Sequence, residues 1–218
     1  MVAALRLLLS AVAGYLVGLT PSADVATRLA GGGHDLRAEG SGNPGGLNTA
    51  HVLGPRWGTA VAAADVGKGV AASALGRRLA GPEGASVASS AAVIGHCHPV
   101  GRRGGKGVAT SIGQVIGTVP AYLPLDIAAG YGASRLPWFE RRTRAATHAA
   151  SAVWVLATTL WWRRRWPNPG GDRPTWALPF GALVSSVVIA RRFEADADRV
   201  AAFEGGPPAA PPKERCPR

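Results

Sequence analysis

The chain has 218 residues, of which 47% are hydrophobic, 17% charged and 6% aromatic. That apolar share is too large for a wholly disordered chain, and two cysteines are too few for a disulfide framework. The formal net charge of +11 would suit nucleic acid, but the arginines form short clusters between apolar runs and no nucleic-acid-binding motif accompanies them. We therefore expect no nucleic-acid partner.

Apolar runs without charge recur along the chain. The clearest cover residues 7–23, 107–125, 145–162 and 174–190. Weaker candidates cover 57–80, which Asp65 and Lys68 interrupt, and 85–100. Most approach the roughly 17–20 residues that a helix needs to cross a bilayer, and their small residues suit closely packed membrane helices. The pattern predicts an all-α integral membrane protein. A soluble alanine-rich helical bundle and a cleaved signal peptide over residues 1–26 are the alternatives.

The basic residues bear on the number of spans. If residues 107–134 form two short spans broken at Pro120 and the N-terminus is outside, seven spans place 16 basic residues inside and 7 outside. A single span there leaves no clear bias, so the positive-inside rule favours seven. We expect a bundle of about seven transmembrane helices over residues 1–204, with glycine-rich cytoplasmic motif loops. The Pro- and Ala-rich tail, residues 205–218, is expected to be disordered.

Three polar, glycine-rich segments interrupt the apolar background, at residues 40–51, 65–69 and 95–110. Glycine lets backbone amides approach a ligand closely, and amides at a helix start beside a lysine suit phosphate. The chain has 21 arginines and three lysines, and two of those lysines, Lys68 and Lys106, are flanked by glycine. This choice suggests a site for a compact ammonium. Alternatively, Asp65 and Lys68 form only a local ion pair on one helix face.

These segments resemble the acyl-phosphate:glycerol-3-phosphate acyltransferase (PlsY) family of small bacterial membrane enzymes. The family's first motif, approximately G-S-G-N-x-G-A-T-N-x-x-R, is matched by Gly40, Ser41, Gly42, Asn43, Gly45 and Asn48. The second, D-x-x-K-G, is matched by Asp65, Lys68 and Gly69. The third, G-H-x-x-P followed by G-G-K-x-V-A-T, is matched by Gly95, His96, Pro99, Gly104, Gly105, Lys106, Val108, Ala109 and Thr110.

The chain departs from the family pattern at four places, one of which is Gly46-Leu47 where the first motif has Ala-Thr. His51 stands where the first motif has arginine, the loop between Pro99 and Gly104 is shorter, and the stretch after Arg191 lacks the family's His and Asn. Because imidazole loses its charge near neutral pH, a phosphate contact made by His51 would be titratable. Arg56 is the alternative source of the missing charge.

The resemblance implies a reaction that transfers a fatty acyl group from acyl phosphate to glycerol 3-phosphate, giving lysophosphatidate for phospholipid synthesis. It implies a multi-pass protein of the bacterial inner membrane, in contact with membrane lipids, with cytoplasmic motif loops and no cofactor. An acyl-phosphate synthase is the expected supplier of the donor. A diverged, non-catalytic relative that binds lipid or phosphate ligands is the alternative function.

The resemblance also implies roles for the motif residues. The expected catalytic residues are Ser41, His96 and Lys106. The expected substrate- and phosphate-binding residues are Gly40, Asn43, Gly45, Asn48, His51, Asp65, Lys68, Gly104, Gly105 and Thr110. No metal site is expected, since adjacent residues such as His96 and Cys97 rarely converge on one ion.

Overall fold

The computed structural model describes residues 1–135 and 143–196, with side chains for residues 1–129 and 147–196. Within these ranges the chain is helical and contains no strand, which confirms the predicted all-α fold for the described part. The helices are α1 (Val2–Gly18), α2 (Ser22–Ala30), α3 (Gly46–Leu53), α4 (Pro55–Cys97), α5 (Val108–Thr118), α6 (Leu123–Arg135), α7 (Thr143–Arg164) and α8 (Ala177–Ala195). The predicted disordered tail, residues 205–218, lies outside the described residues.

The first apolar run is divided differently from the prediction. The sequence predicts one span over residues 7–23, but in the structure α1 ends at Gly18 and α2 begins at Ser22. Pro21 explains the break, because a residue before proline is disfavoured in helical conformation. The later runs correspond closely to α7 and α8. The predicted break at Pro120 is present, since a 3-10 turn, Pro120–Tyr122, joins α5 to α6.

Helix α4 is a hairpin of two arms, residues 55–79 and 82–97. The backbone leaves helical conformation at Ala80 and Gly81, where Gly81 has a φ of 62°, and Pro82 follows. A methyl group built on Gly76 would lie 2.1 Å from the carbonyl oxygen of Gly84. Residues eight apart on a straight helix are separated by about 12 Å, so the second arm must run back along the first.

Glycines on facing helices bring the neighbouring backbones close to this hairpin. Gly14 and Gly18 of α1 lie against the carbonyl groups of Ala88 and Ala92 on the second arm. On the first arm, a methyl at Gly69 would lie 2.2 Å from the carbonyl oxygen of Thr110 on α5. Such small-residue contacts are typical of helices that pack in a membrane. They place the ends of α1, α4 and α5 together.

The described helices expose apolar side chains that suit a lipid environment. Leu5, Leu8 and Leu16 of α1 and Phe180 and Leu183 of α8 are exposed. By length and composition, one described stretch, Val2–Ala30, which joins α1 and α2, could cross a membrane, and the bent pair α5–α6, at 118°, passes the same test as a unit. The count of seven spans therefore stays a prediction.

Candidate functional site

A polar cleft with about 270 Å³ of empty space lies where the α1–α2 junction meets the end of α4 and the glycine loop after it. Four of the predicted residues form part of its wall: Lys68, His96, Gly104 and Gly105. The remainder of the wall consists of residues 18–24, Arg37, Pro44, Gly95, Pro99 and Arg102. Residues of the second and third motifs thus lie on the wall of one cleft, together with residues that the sequence did not single out.

The buried centre of the site is the carboxylate of Asp65. Its Oδ1 accepts hydrogen bonds from Ser22 Oγ at 2.5 Å and from Lys68 Nζ at 2.7 Å. Lys68 Nζ also donates to Ser22 Oγ at 3.0 Å, and His96 Nδ1 lies 3.6 Å from the same carboxylate oxygen. The side chains of Asp65 and Lys68 are only 2% and 6% exposed. The ion pair between Asp65 and Lys68 is therefore present, and it also contacts Ser22 of α2 and the imidazole of His96.

His96 fits tightly against two glycines of the third motif, with its imidazole against Gly105 and its backbone carbonyl against Gly104. The Gly105 amide donates to the His96 carbonyl oxygen at 3.1 Å. A methyl group at Gly105 would lie 2.2 Å from His96 Nε2, and one at Gly104 would lie 2.2 Å from the His96 carbonyl oxygen. Any larger residue would therefore displace the ring or the loop. Because the Gly105 amide is used in this contact, it holds the loop to α4.

Arg192 of α8 fixes the same loop from the other side. It is buried, and its guanidinium donates to the carbonyl oxygens of Gly105 at 3.2 Å and Gly104 at 3.0 Å. It also lies 3.4 Å from Asp196, which pairs with Arg103. The sequence analysis missed this role, because the surrounding residues do not match the family's C-terminal motif. The available signal was a charge at the end of an otherwise apolar helix.

Two further arginines on the cleft wall share one carboxylate. Arg37 donates Nη1 to Asp24 Oδ1 at 2.5 Å and Nη2 to Oδ2 at 3.2 Å, and Arg102 donates Nη1 to Oδ2 at 2.9 Å. Backbone acceptors hold both guanidiniums, Arg37 on the carbonyl of Arg103 and Arg102 on that of Leu19. The sequence signal was weak, since Arg37 lies three residues before the first motif and Arg102 lies in the shortened loop.

Asn48 of the first motif shapes its own loop. Its side chain is buried, and Oδ1 accepts from the Ser41 amide at 2.8 Å. Its Nδ2 donates to the carbonyl oxygens of Leu36 and Glu39, each at 3.0 Å. A methyl at Gly40 would lie 2.1 Å from Asn48 Oδ1. These contacts occupy the amide group of Asn48 within the loop.

The first motif touches the cleft through Pro44. A methyl at Gly45 would lie 2.8 Å from Asn43 Nδ2, so these two residues pack together beside Pro44. His51 is exposed near the end of α3. The predicted first-motif residues that do not form the cleft wall are Gly40, Ser41, Asn43, Gly45, Asn48 and His51.

Lys106 and Thr110 lie beyond the cleft, towards α8 and α5. The ammonium of Lys106 lies 4.7 Å above the centre of the Phe193 ring, a cation–π distance. Thr110 is fully buried where α5 crosses Gly69 of α4. The two residues are therefore close in sequence to Gly105 but separate from the cleft wall.

The sequence is similar to that of a known enzyme family along most of its length. The family model for glycerol-3-phosphate acyltransferase matches residues 8–202. Glycerol-3-phosphate acyltransferase of Thermoanaerobacter sp. (strain X514) is 36% identical over 156 residues, covering 71% of this chain and 77% of the relative. That of Jannaschia sp. (strain CCS1) is 38% identical over 160 residues, covering 72% and 77%.

A solved structure extends the likeness to the fold. The crystal structure of PlsY (YgiH), an integral membrane glycerol 3-phosphate acyltransferase in its glycerol 3-phosphate form, superposes with a TM-score of 0.72 and 26% identity. The match covers 91% of this chain and 93% of that protein. Together with the exposed apolar helices, it indicates an integral membrane protein.

Proposed function

The chain belongs to the glycerol-3-phosphate acyltransferase family, and we propose that it transfers a fatty acyl group from acyl phosphate to the 1-hydroxyl of glycerol 3-phosphate. The products are lysophosphatidate and inorganic phosphate. The observation that carries this proposal is the cleft, whose wall combines an ammonium, an imidazole and the glycine loop. Both substrates carry phosphate, which needs positive charge in a partly dry cavity. The glycerol 3-phosphate form of the solved relative supports the choice of acceptor.

The bonds that form and break in this reaction belong to the two substrates. The hydroxyl oxygen of glycerol 3-phosphate bonds to the acyl carbon, and the bond from that carbon to the phosphate oxygen breaks. Phosphate leaves with the electron pair, and the hydroxyl proton passes to a base. Because acyl phosphate is already activated, positioning the two substrates and neutralising their charge supply most of the rate enhancement.

We assign the base to His96. Its ring is on the cleft wall and is fixed between Gly105 and the carboxylate of Asp65. The 3.6 Å separation from Asp65 is longer than a hydrogen bond, so the carboxylate acts on the ring through its charge. When the ring accepts the proton, this carboxylate partly offsets the positive charges of Lys68 and Arg192 near the imidazole.

We assign phosphate neutralisation to Lys68, with Lys106 as a second cation. An ammonium has three N–H donors, and Lys68 directs donors at Asp65 and Ser22. A third donor is left for a phosphate oxygen in the cleft. Lys106 follows Gly105, with its ammonium over the Phe193 ring beside the cleft, and we assign it to the phosphate of the other substrate.

We also propose that the motif loops face the cytoplasm of a bacterial cell and that the chain crosses the inner membrane seven times. The described part of the chain has seven helical segments in the order that this arrangement needs, namely α1, the two arms of α4, α5, α6, α7 and α8. With an external N-terminus, this arrangement puts the loops that form the cleft on the inner side. There they meet glycerol 3-phosphate and an acyl-phosphate synthase that supplies the donor.

The test is transfer by the purified full chain in lipid nanodiscs. Palmitoyl phosphate with labelled glycerol 3-phosphate should give labelled lysophosphatidate, whereas palmitoyl-CoA should not. His96→Asn should lower kcat by roughly 100-fold or more, as expected for loss of a general base. His98→Asn is the matched control, because His98 is exposed and lies outside the cleft wall. Failure of palmitoyl phosphate as a donor, or equal losses in the two variants, would contradict the proposal.

A further inference from the structure

A second pocket lies at the end of the helix bundle opposite the cleft. It has about 220 Å³ of empty space between the start of the second α4 arm, the end of α5 and residues 172–175, which precede α8. Helix α8 shows that the two sites are at opposite ends, because its first residues line this pocket and Arg192, in its last turn, binds the glycine loop of the cleft. The proposed function gives the second pocket no task.

Two hydroxyl groups on the pocket wall have no hydrogen-bond partner among the described residues. Ser86 is 3% exposed, and only its carbonyl oxygen, not its hydroxyl, is used by the neighbouring side chains of Ser89 and Ser90. Thr175 Oγ1 is shielded from solvent and has no partner either. Because buried polar groups are normally hydrogen-bonded, two such hydroxyls on one pocket indicate that a polar ligand completes the site.

The charges around the pocket favour an anion as that ligand. Arg173 is exposed and is part of the wall. Asp172 is also on the wall, but Arg77 donates Nε to its Oδ2 at 2.5 Å and offsets its charge. The wall includes Leu178 in the first turn of α8, and no side chain caps the N-terminus of this helix. Amides and the dipole at a helix N-terminus attract phosphate, and a guanidinium strengthens such binding.

Exposed tryptophans indicate that the pocket is level with the membrane surface. Trp176, the residue before α8, is 48% exposed, and Trp162 and Trp166, at the end of α7, are 39% and 43% exposed. The loop after α7 is fixed to the pocket, because Asn168 donates Nδ2 to the carbonyl oxygen of Thr118 on the wall. Tryptophan rings prefer the depth of the lipid headgroups, so the phosphate groups nearest to this pocket belong to lipids.

We propose that the second pocket binds the headgroup of an anionic phospholipid, with its phosphate held by Arg173 and by the hydroxyls of Ser86 and Thr175. Three more exposed arginines, Arg163–Arg165, end α7 at the same side. They attract a lipid with net negative charge and repel the ammonium group of a zwitterionic one. The bound lipid joins the α4 hairpin to α5 and α8. This inference depends on the location in the membrane and not on the proposed acyl transfer.

The experiment measures lipid binding to the delipidated full chain in detergent, by native mass spectrometry and by Tm. Dioleoylphosphatidylglycerol should bind at least tenfold more tightly than dioleoylphosphatidylethanolamine and should raise the Tm, since a ligand of the folded state stabilises it. Arg173→Gln and Ser86→Ala should each weaken phosphatidylglycerol binding by roughly tenfold, the effect of losing one hydrogen bond to a charged group. Without lipid, neither variant should lower the Tm, because Arg173 is exposed and the Ser86 hydroxyl has no partner among the described residues.

Arg191→Gln is the matched control, because it removes the same charge from an exposed position on α8 at the cleft end. It should bind phosphatidylglycerol as the unaltered protein does. Equal losses in Arg173→Gln and Arg191→Gln would reduce the effect to general attraction between a basic protein and an anionic lipid, and would overturn the proposal. Inorganic phosphate that raises the Tm as much as phosphatidylglycerol would assign the pocket to a soluble anion, and a lower lipid-free Tm in Ser86→Ala would make its hydroxyl part of the fold. Either result would also overturn it.

Discussion

Removing one member of the Asp65–Lys68 pair should damage the protein more than removing both. The two side chains are 2% and 6% exposed and lie 2.7 Å apart, so Lys68→Met leaves a buried carboxylate and Asp65→Asn leaves a buried ammonium. Breaking a buried ion pair in this way costs about 3–5 kcal/mol. For a chain of this size that loss corresponds to a fall in Tm of roughly 6–20 °C.

The double variant Asp65→Asn with Lys68→Met separates stability from function. It leaves no unpaired charge, and replacing both members of a buried pair is often neutral, so its Tm should return close to that of the unaltered protein. Its acyl transfer should stay lost, because the cleft lacks the Lys68 ammonium and the charge beside His96. The measurements are Tm in detergent and lysophosphatidate formation in nanodiscs. A double variant that is both stable and active would show that Asp65 and Lys68 form only a local ion pair, which is the alternative given by the sequence.

Three further predictions follow from the close contacts and the topology. Gly69→Ala should lower the Tm, because its methyl would lie 2.2 Å from the Thr110 carbonyl oxygen. Gly67→Ala, whose methyl would meet no atom within 4 Å, should raise the free energy of unfolding by up to about 1 kcal/mol. Equal Tm values for the two variants would contradict the described α4–α5 packing. Gly105→Ala should lower kcat by roughly 100-fold through displacement of the His96 ring, and an unchanged kcat in a transfer assay would remove His96 as the base. Reporter fusions after residue 170 and at the C-terminus should report opposite sides of the membrane, and fusions on one side would exclude seven spans.

The sequence predicted the features that depend on local spacing. Asp65 and Lys68 are three residues apart on one helix, so their pairing is a property of helix geometry. The apolar runs predicted the membrane helices, and the proline at 120 predicted the break between α5 and α6. The tight fit of His96 against Gly105 could also be anticipated, because glycines admit such an approach.

The contacts that complete the cleft could not be read from spacing. Ser22 reaches Asp65 across 43 residues, and Arg102 reaches Asp24 across 78. Such contacts exist only because α1 and α2 pack at the end of the α4 hairpin. In the first motif, Asn48 uses its amide to shape a loop, and spacing alone does not reveal these contacts. A polar side chain in a glycine-rich segment serves loop structure as readily as it serves a ligand.

The most direct test of the central claim is the stoichiometry of products from palmitoyl phosphate. The purified full chain in nanodiscs should release inorganic phosphate only when glycerol 3-phosphate is also present, and each phosphate should be matched by one lysophosphatidate. Phosphate release without the acceptor, or lysophosphatidate formed from palmitoyl-CoA and not from palmitoyl phosphate, would contradict the account.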